Sequence, residues 1–312
     1  MPSYTKAQRD KFIEQVRKYA NATRLDEAGK KLEKRIAAMA KTPQGMNELA
    51  QLITENLEEE MQAYDLRPLL FDTKPRKLLE VVEYKRKGKF RAYRTTRGGY
   101  VPKSQVFQDV VKAQPEEFSV RPACHLLQLE TGRISAVNDL ITGAQEALLT
   151  EYARYFYATL EAVNAGDSTG KLKAQVTGEV DKTTLDKMLH AASAKGGQVS
   201  IVGTHTSLAP ILDFEGFTDT QKDEIMRTGN LGVYRGARLV KLEEFLDADD
   251  LEVIKHDTIF IVTRKAGYVD DFGAIRSREI IDPEHDEFSI LMRKEWGFTV
   301  LYPEYVRMIK IV

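Results

Sequence analysis

Apolar residues recur at helical spacing through the first third of the chain. Phe12, Val16 and Tyr19 lie three or four apart, and Leu32, Ile36 and Met39 repeat the pattern. This predicts broken helix over 4–40, punctuated by Gly29 and by the Pro43/Gly45 pair. The stripe is thin, so the arm is expected to need another surface to lie on. Asn47 is the expected N-cap of an amphipathic helix whose apolar face is Leu49, Leu52, Ile53, Leu57 and Met61, with Pro68 ending it. The period then changes. Over 78–102, LLEVVEY reads as a strand, KRKGK as a turn and FRAYRTT as the returning strand, with Gly98-Gly99 breaking the line before Tyr100-Val101-Pro102. Both strands carry charge at alternate positions and little that fills a core. The expectation is a projecting ribbon, marginal by itself unless something packs on it.

Beyond the ribbon, EFSVRPACHLLQLE (117–130) reads as extended, leading into a long helix from Ser135, its expected cap, to Asn164. Val137, Leu140, Ile141, Ala144, Leu148, Tyr152, Tyr155, Phe156 and Leu160 hold helical spacing along its whole length. Next come a loop and strand in NAGDSTGKLKAQVTGEVD, then a helix capped by Thr183 that runs to Lys195 and stops at Gly196-Gly197. VSIVGT is a buried-type strand, DTQKDEIMRTGN a helix closing on Gly229, and LGVYRGARLVKL and DTIFIVTRK are strands. FSILMRKEWGFTVLYPEYVRMIKIV reads as strand, turn, strand. Helices and strands mix without regular βαβ units, so the fold class is α+β.

Composition is that of an ordinary soluble chain of 312 residues, 42% apolar and 30% charged, with a net charge of −1. The balance excludes a global basic footprint for nucleic acid. It hides a segregation of charge. Residues 1–45 carry a net +6, 46–71 a net −5, 72–105 a net +8 from eleven bases and three acids, and 106–312 a net −10. Two basic extensions alternate with acidic segments, so one part of the chain complements another part of a second copy. The single Cys124 excludes an intrachain disulfide and suits a reducing compartment. The first residues, MPSYTKAQRDKF, lack the apolar core of a signal peptide, and no apolar run is long enough to span a bilayer.

Candidate chemistry adds little. Gly170-Lys171 is followed by Leu172 where a phosphate loop needs Ser or Thr, and the glycines at 229, 232 and 236 follow no strand. They read as a turn where backbones approach closely. The five histidines (125, 190, 205, 256 and 285) are scattered without metal-ligand spacing. Cys124 and His125 adjoin in sequence and so point to opposite sides of a strand. The acidic turn Leu246–Asp250, preceded by Glu243 and Glu244, lacks the glycine and closing glutamate of a calcium loop and reads as a solvated or interface-facing patch. No catalytic constellation, metal site or cofactor is expected. The basic ribbon keeps two readings: phosphate contacts with stacking by Phe90, Tyr93 and Tyr100, or a clamp onto a neighbouring molecule. The acidic body of the same chain favours the clamp.

The order of parts, a basic arm, a long charged hairpin, a long helix and a mixed C-terminal region, resembles the major capsid protein of tailed double-stranded DNA phages, with the Hong Kong 97-like fold that encapsulins share. VSIVGTHTSLAPILDF, LGVYRGARLVKL and the terminal strand pair carry the local likeness. The resemblance implies an N-terminal arm and helix over 1–70 and an extended loop over 71–105. It implies a peripheral domain over 106–181 with spine helix 135–164, and an axial domain over 182–312 with one strand returning to the peripheral domain. It also implies self-assembly through pentamers and hexamers into an icosahedral virion shell enclosing double-stranded DNA, built in the host cytoplasm without membrane contact. Scaffold, portal and decoration proteins would be further partners.

On that reading Lys85, Arg86, Lys87, Lys89, Arg91, Arg94 and Arg97 meet acids of adjacent subunits, among which Glu243, Glu244, Asp247, Asp249 and Asp250 are candidates. Gly88, Gly98 and Gly99 are hinges. Residues 1–45 are too short and too poor in heptads for a large scaffolding segment. Nothing in the sequence selects Lys87 or Lys89 with Asn164 for the lysine–asparagine crosslink of some family members, so none is expected.

Overall fold

The computed structural model describes residues 5–22, 24–63, 71–86, 92, 94–95, 97, 100, 109–113, 115–167, 170–212, 214, 232–242, 252–263, 266–282 and 284–312. The arm is three helices, α1 (Lys6–Ala20), α2 (Glu27–Ala40) and α3 (Pro43–Ala63). Asp26 caps α2. Its carboxylate accepts the Gly29 N–H at 2.8 Å and the Tyr19 hydroxyl at 2.7 Å. Gly29 therefore sits inside the first turn of α2 instead of breaking the helix, and a side chain there would meet Leu25 and Tyr19. Asn47 is not the cap of α3. That helix starts at Pro43, whose fixed φ suits a first helical position, and Thr42 Oγ1 accepts the Gly45 N–H at 3.1 Å. Asn47 lies a turn further on and donates to Glu279 at 3.0 Å. α3 ends at Ala63. Pro68 and the side chain of Met61 lie outside the described residues.

The surface that the thin stripe requires belongs to the same chain. Phe12, Ile13, Val16 and Tyr19 of α1, Leu32 and Ile36 of α2, and Leu49 and Ile53 of α3 share one core with Val137, Leu140, Ile141 and Ala144 of the long helix. An Arg9–Glu55 pair ties α1 to α3.

That long helix, α5 (Ile134–Ala165), is 32 residues and about 48 Å long at 1.5 Å per residue. Arg133, not Ser135, occupies its cap position. Before it, the stretch expected to be extended divides into β4 (Glu116–Val120), β5 (Ala123–His125) and the short helix α4 (Leu126–Glu130), which buries Leu129 in the arm core. Gly132 joins α4 to α5 at φ +76°, where a side chain would strike the Glu33 backbone of α2.

Two six-stranded sheets lie along the spine helix. The first is ordered β1 (Asp72–Arg76), β11 (Gly267–Phe272), β13 (Glu287–Val300), β12 (Arg276–Asp282), with β4 and β5 also paired to β13. Trp296 of β13 stands in register with both Asp271 and Glu116, so β11 and β4 flank the same strand. Phe288, Ile290, Met292 and Trp296 join the arm core against the N-terminal half of the spine.

The second sheet is ordered β6 (Lys173–Val176), β14 (Val306–Ile311), β10 (Thr258–Thr263), β7 (Val199–Gly203), β9 (Ala237–Lys241), β8 (Val233–Tyr234). Its two central strands, β7 and β10, are wholly buried because both faces are covered. Ile201, Ile259 and Ile261 meet helix α6 (Lys182–Ser193) and Leu208 and Ile211 of α7 (His205–Leu212). Val202, Phe260 and Val262 meet Phe156, Tyr157 and Leu160 on the C-terminal half of the spine. Alternate residues thus serve two different cores, which explains strands apolar at every position. Asp181, not Thr183, caps α6 by accepting the Thr184 N–H at 3.1 Å. The glycine-rich passage is a two-residue hairpin: Arg235 (φ +46°) and Gly236 (φ +83°) join β8 to β9, as a tight primed turn requires. The helix expected over DTQKDEIMRTGN lies outside the described residues.

Three differences from the sequence reading concern the segment around the ribbon. Residues 72–76 do not belong to a loop, because β1 pairs in parallel with β11 inside the first sheet. Among the described residues β2 (Val82–Arg86) pairs antiparallel with β3 (Asp109–Ala113); Ala92, Arg94 and Thr95 of FRAYRTT are not in strand, and its other residues lie outside the described ones. Lys85 and Arg86 are therefore strand residues, and the turn is not at KRKGK's first two positions. Finally, β11 and β12 were not foreseen, so three strands over 267–300, not one returning strand, join the sheet on the N-terminal half of the spine.

The shared core predicts that the arm is an integral part of the fold. Ile36→Ala, at a fully buried site on α2, should lower the unfolding free energy in urea by about 2–5 kcal/mol, whereas Lys30→Ala on the exposed side of the same helix should change it by no more than about 0.5 kcal/mol. Equal, small effects would mean a loosely attached arm.

Candidate functional site

The ribbon stands on a polar cluster at its root. Asp270 of β11 is completely buried, an unusual place for a carboxylate. Three groups meet it. Arg76, at the end of β1, donates from Nε to Asp270 Oδ1 at 2.9 Å. The Tyr84 hydroxyl, from β2, donates to the same oxygen at 2.6 Å and accepts from the Arg76 guanidinium at 3.2 Å. Glu80 takes the remaining arm of Arg76 at 3.1 Å. One residue from each of three strands, and one from the turn between β1 and β2, are thereby locked together. Burial, followed by the bond to Asp270, pushes the Tyr84 pKa well above its ordinary value, and the hydrogen bonds that Arg76 donates to Tyr84 and Asp270 raise its own. Charge-assisted bonds in such a setting are short and strong.

Apolar contacts complete the footing. The Tyr84 ring stacks on Tyr268 at 4.6 Å and 13° between planes, with the Lys74 ammonium 3.6 Å above the Tyr268 ring centre. Val82, Tyr84 and Ala113 pack on Phe272 and Leu301. Alternation then sends Glu83 and Lys85 of β2, and Val110 and Lys112 of β3, to the opposite side, which is exposed. Glu83 and Lys112 face each other across the strands at 3.8 Å.

The candidate interface bases separate into groups. Arg86 pairs with Glu304 of its own chain at 3.0 Å and lies over the Tyr302 ring, so it secures the ribbon to the 303–305 turn before β14. Lys85, Arg94 and Arg97 are exposed, and no carboxylate among the described residues pairs with them. Lys87, Lys89 and Arg91, the hinge candidates Gly88, Gly98 and Gly99, and the acidic candidates Glu243, Glu244, Asp247, Asp249 and Asp250 lie outside the described residues. Asn164 is buried and donates to the Leu160 carbonyl at 2.9 Å.

Cys124 is half buried, its thiol pushed up to about 11 by burial, while His125 beside it is exposed. His256 sits between Thr204 and Glu252 at 3.2 and 3.1 Å. The sequence reading missed Asp270, Arg76, Tyr84 and Glu80. Its one available signal was an acidic pair inside the apolar run GYVDDF, out of keeping with a plain strand.

A family model described as "SPbeta prophage-derived putative capsid protein YonB" matches residues 4–310. The chain belongs to that capsid protein family. The capsid protein matches no curated protein. Its fold is similar to a solved structure from Gordonia phage Cozz, at 14% identity and a TM-score of 0.57, covering 79% of this chain and 86% of that one. It is similar to one from Microbacterium phage Oxtober96 (12% identity, TM-score 0.58, 78% and 90% covered) and to the virus-like particle from Pyrococcus furiosus (13%, 0.54, 83% and 98%). The α+β architecture is the Hong Kong 97-like capsid fold. None of the described helices is long and apolar enough to cross a membrane.

Tyr84→Phe keeps the ring stack and removes both charge-assisted bonds of the hydroxyl. It should lower the unfolding free energy by about 1.5–3 kcal/mol and speed limited proteolysis of the ribbon. The pH dependence has a definite sign. Folding holds the Tyr84 pKa above its unfolded value near 10, so the neutral hydroxyl stabilises the fold below about pH 10 and that contribution is lost as pH rises toward the folded-state value. Denaturation series on both proteins should show a shallower alkaline loss in the variant. Parallel alkaline curves would remove Tyr84 from the network.

Proposed function

We propose that this capsid protein assembles through pentamers and hexamers into an icosahedral shell that encloses double-stranded DNA, and that the outer face of the ribbon clamps a neighbouring subunit. The observation that carries the clamp is the division of the ribbon into two faces. The inner face is held on its own subunit by Asp270, Arg76 and Glu304, while Lys85 stands on the other, and neither it nor the exposed Arg94 and Arg97 pairs with a carboxylate among the described residues. The net −10 over residues 106–312 supplies acids for them on a second copy. Lys87, Lys89 and Arg91 extend the same basic run, and the acids at 243–250 are its candidate partners. A single exposed ion pair contributes about 0–1 kcal/mol. Repeated over every copy of a shell, the sum becomes large and salt-sensitive.

In this reading 1–70 is the N-terminal arm. The peripheral domain comprises 106–167 together with 267–300, and the sheet around β7 and β10, which includes β6, is the axial domain. Scaffold, portal and decoration proteins are its further partners, the virion is its destination after assembly in the host cytoplasm, and its role is structural, not catalytic. Likeness to the Pyrococcus furiosus virus-like particle favours a second reading, an encapsulin-type shell with protein cargo. The contents of purified particles separate the two: DNA for the first, a packaged protein for the second.

Arg94→Glu with Arg97→Glu should leave the unfolding midpoint of the subunit unchanged and abolish closed particles in negative-stain images under conditions where the wild type forms them. Normal particles from the double variant would overturn the clamp.

A further inference from the structure

The turn between β1 and β2 presents apolar side chains that the subunit does not use. Glu80 pins this turn. Its backbone N–H donates to the Lys77 carbonyl at 3.1 Å, one carboxylate oxygen accepts the Lys77 N–H at 3.0 Å, and the other accepts Arg76 at 3.1 Å. Held this way, Leu79 adopts φ +62°, a left-handed conformation that glycine or asparagine takes far more readily than a branched apolar residue. Its side chain is 85% exposed. Val81 beside it is 81% exposed, and Leu78 and, from β3, Val110 are also exposed. The register puts Val110 opposite Lys85 on the outer face of the ribbon, away from Val82 and Tyr84, and Val81 immediately precedes β2.

Strain at an exposed leucine brings nothing to the isolated subunit, because the side chain buries no surface there. Backbone strain of this kind persists where a function requires it. Lys77 adjoins Leu78 and Leu79 in sequence, and along the outer face the Glu83–Lys112 pair and Lys85 follow Val81, so the apolar side chains have charged neighbours, as an interface core has a polar rim. With Lys77, Lys85 and Lys112 against Glu83 these neighbours are net basic, and the body of the same chain is acidic, so the occupant whose charge fits is a second copy of this chain.

We propose that Leu79, with Leu78, Val81 and Val110, is an apolar contact that seats against a second copy of the chain next to the ribbon clamp. The contact rests on the shell reading above and adds to it the surface that the basic residues alone do not provide. The strained turn fixes the direction in which the leucine points before the neighbour arrives, so no ordering is needed on contact.

The test compares wild type, Leu79→Asn and Leu79→Met, all as the full chain. Asparagine tolerates the backbone conformation and removes the apolar surface; methionine keeps the surface. Leu79→Asn should fold with an unchanged or higher melting midpoint and raise the protein concentration needed for half assembly, followed by light scattering, about ten-fold. Leu79→Met should assemble as the wild type does. In wild-type particles the backbone amides of residues 78–81 should exchange with deuterium more slowly than in free subunits. A lowered midpoint for Leu79→Asn would show that the side chain serves its own subunit and overturn the proposal. Assembly of that variant at the wild-type concentration, or equal amide exchange in particles and subunits, would overturn it also. Wild-type protein that forms no particles under any condition would instead overturn the shell reading itself.

Discussion

A carboxylate that folding takes out of water must be met by a cation and by donors, and Asp270 imposes that requirement on the middle of this fold. Leaving one member of such a buried set unpaired costs on the order of 3–5 kcal/mol. The partners come from different parts of the chain: Arg76 lies 194 positions from Asp270 and Tyr84 lies 186. Satisfying the charge therefore fixes where β1 ends, how the following turn runs and at what angle β2 leaves the body. An apolar cluster at the same place would supply stability, but its contacts are non-directional. Hydrogen bonds to a single oxygen set both distance and direction, and they fix how β2 stands on the first sheet.

The spine helix gives that root something rigid to stand on. One half of its apolar face, from Ile134 to Leu149, belongs to the arm core, and the other, from Ala153 to Leu160, belongs to the core of the second sheet. Aromatic residues stitch the transition, with Tyr152, Tyr155 and Phe156 each against Phe298 of β13 at 4.9–5.5 Å between ring centres. β11, which carries Asp270, pairs with that same strand. Polar root, aromatic seam and spine are thus consecutive links, and a force on the ribbon is transmitted to both sheets without passing through a loop.

The helices and the long terminal strands were legible because their patterns are local. Phe12, Val16 and Tyr19, or Leu140, Ile141 and Ala144, declare a face by spacing alone. Caps were read less well. Asn47 and Thr183 are good capping types, yet Thr42 and Asp181 do the work, since Pro43 and the loop before α6 start those helices a few residues earlier. The ribbon was recognised as a ribbon but paired wrongly. KRKGK looks like a turn, whereas β2 continues through Lys85 and Arg86 to meet β3 more than twenty residues further on, a separation no local pattern reports. The root was invisible for a related reason. Asp270 and Arg76 are ordinary charged residues in sequence, and only the parallel pairing of β1 with β11 makes them partners. Charge segregation divides the chain into basic and acidic segments, and Arg86 shows its limit as a guide to partners: a base counted toward a neighbour takes an acid of its own subunit.

The account stands on one geometric claim, that the ribbon leaves its own subunit at the Asp270 root and lays its outer basic face on the next. A cryo-electron microscopy reconstruction of assembled particles tests this directly. The account predicts continuous density from Tyr84 outward onto an adjacent subunit, with Arg94 and Arg97 beside that subunit's carboxylates. Density showing the ribbon folded back over its own body, with those arginines paired within the same chain, would contradict it.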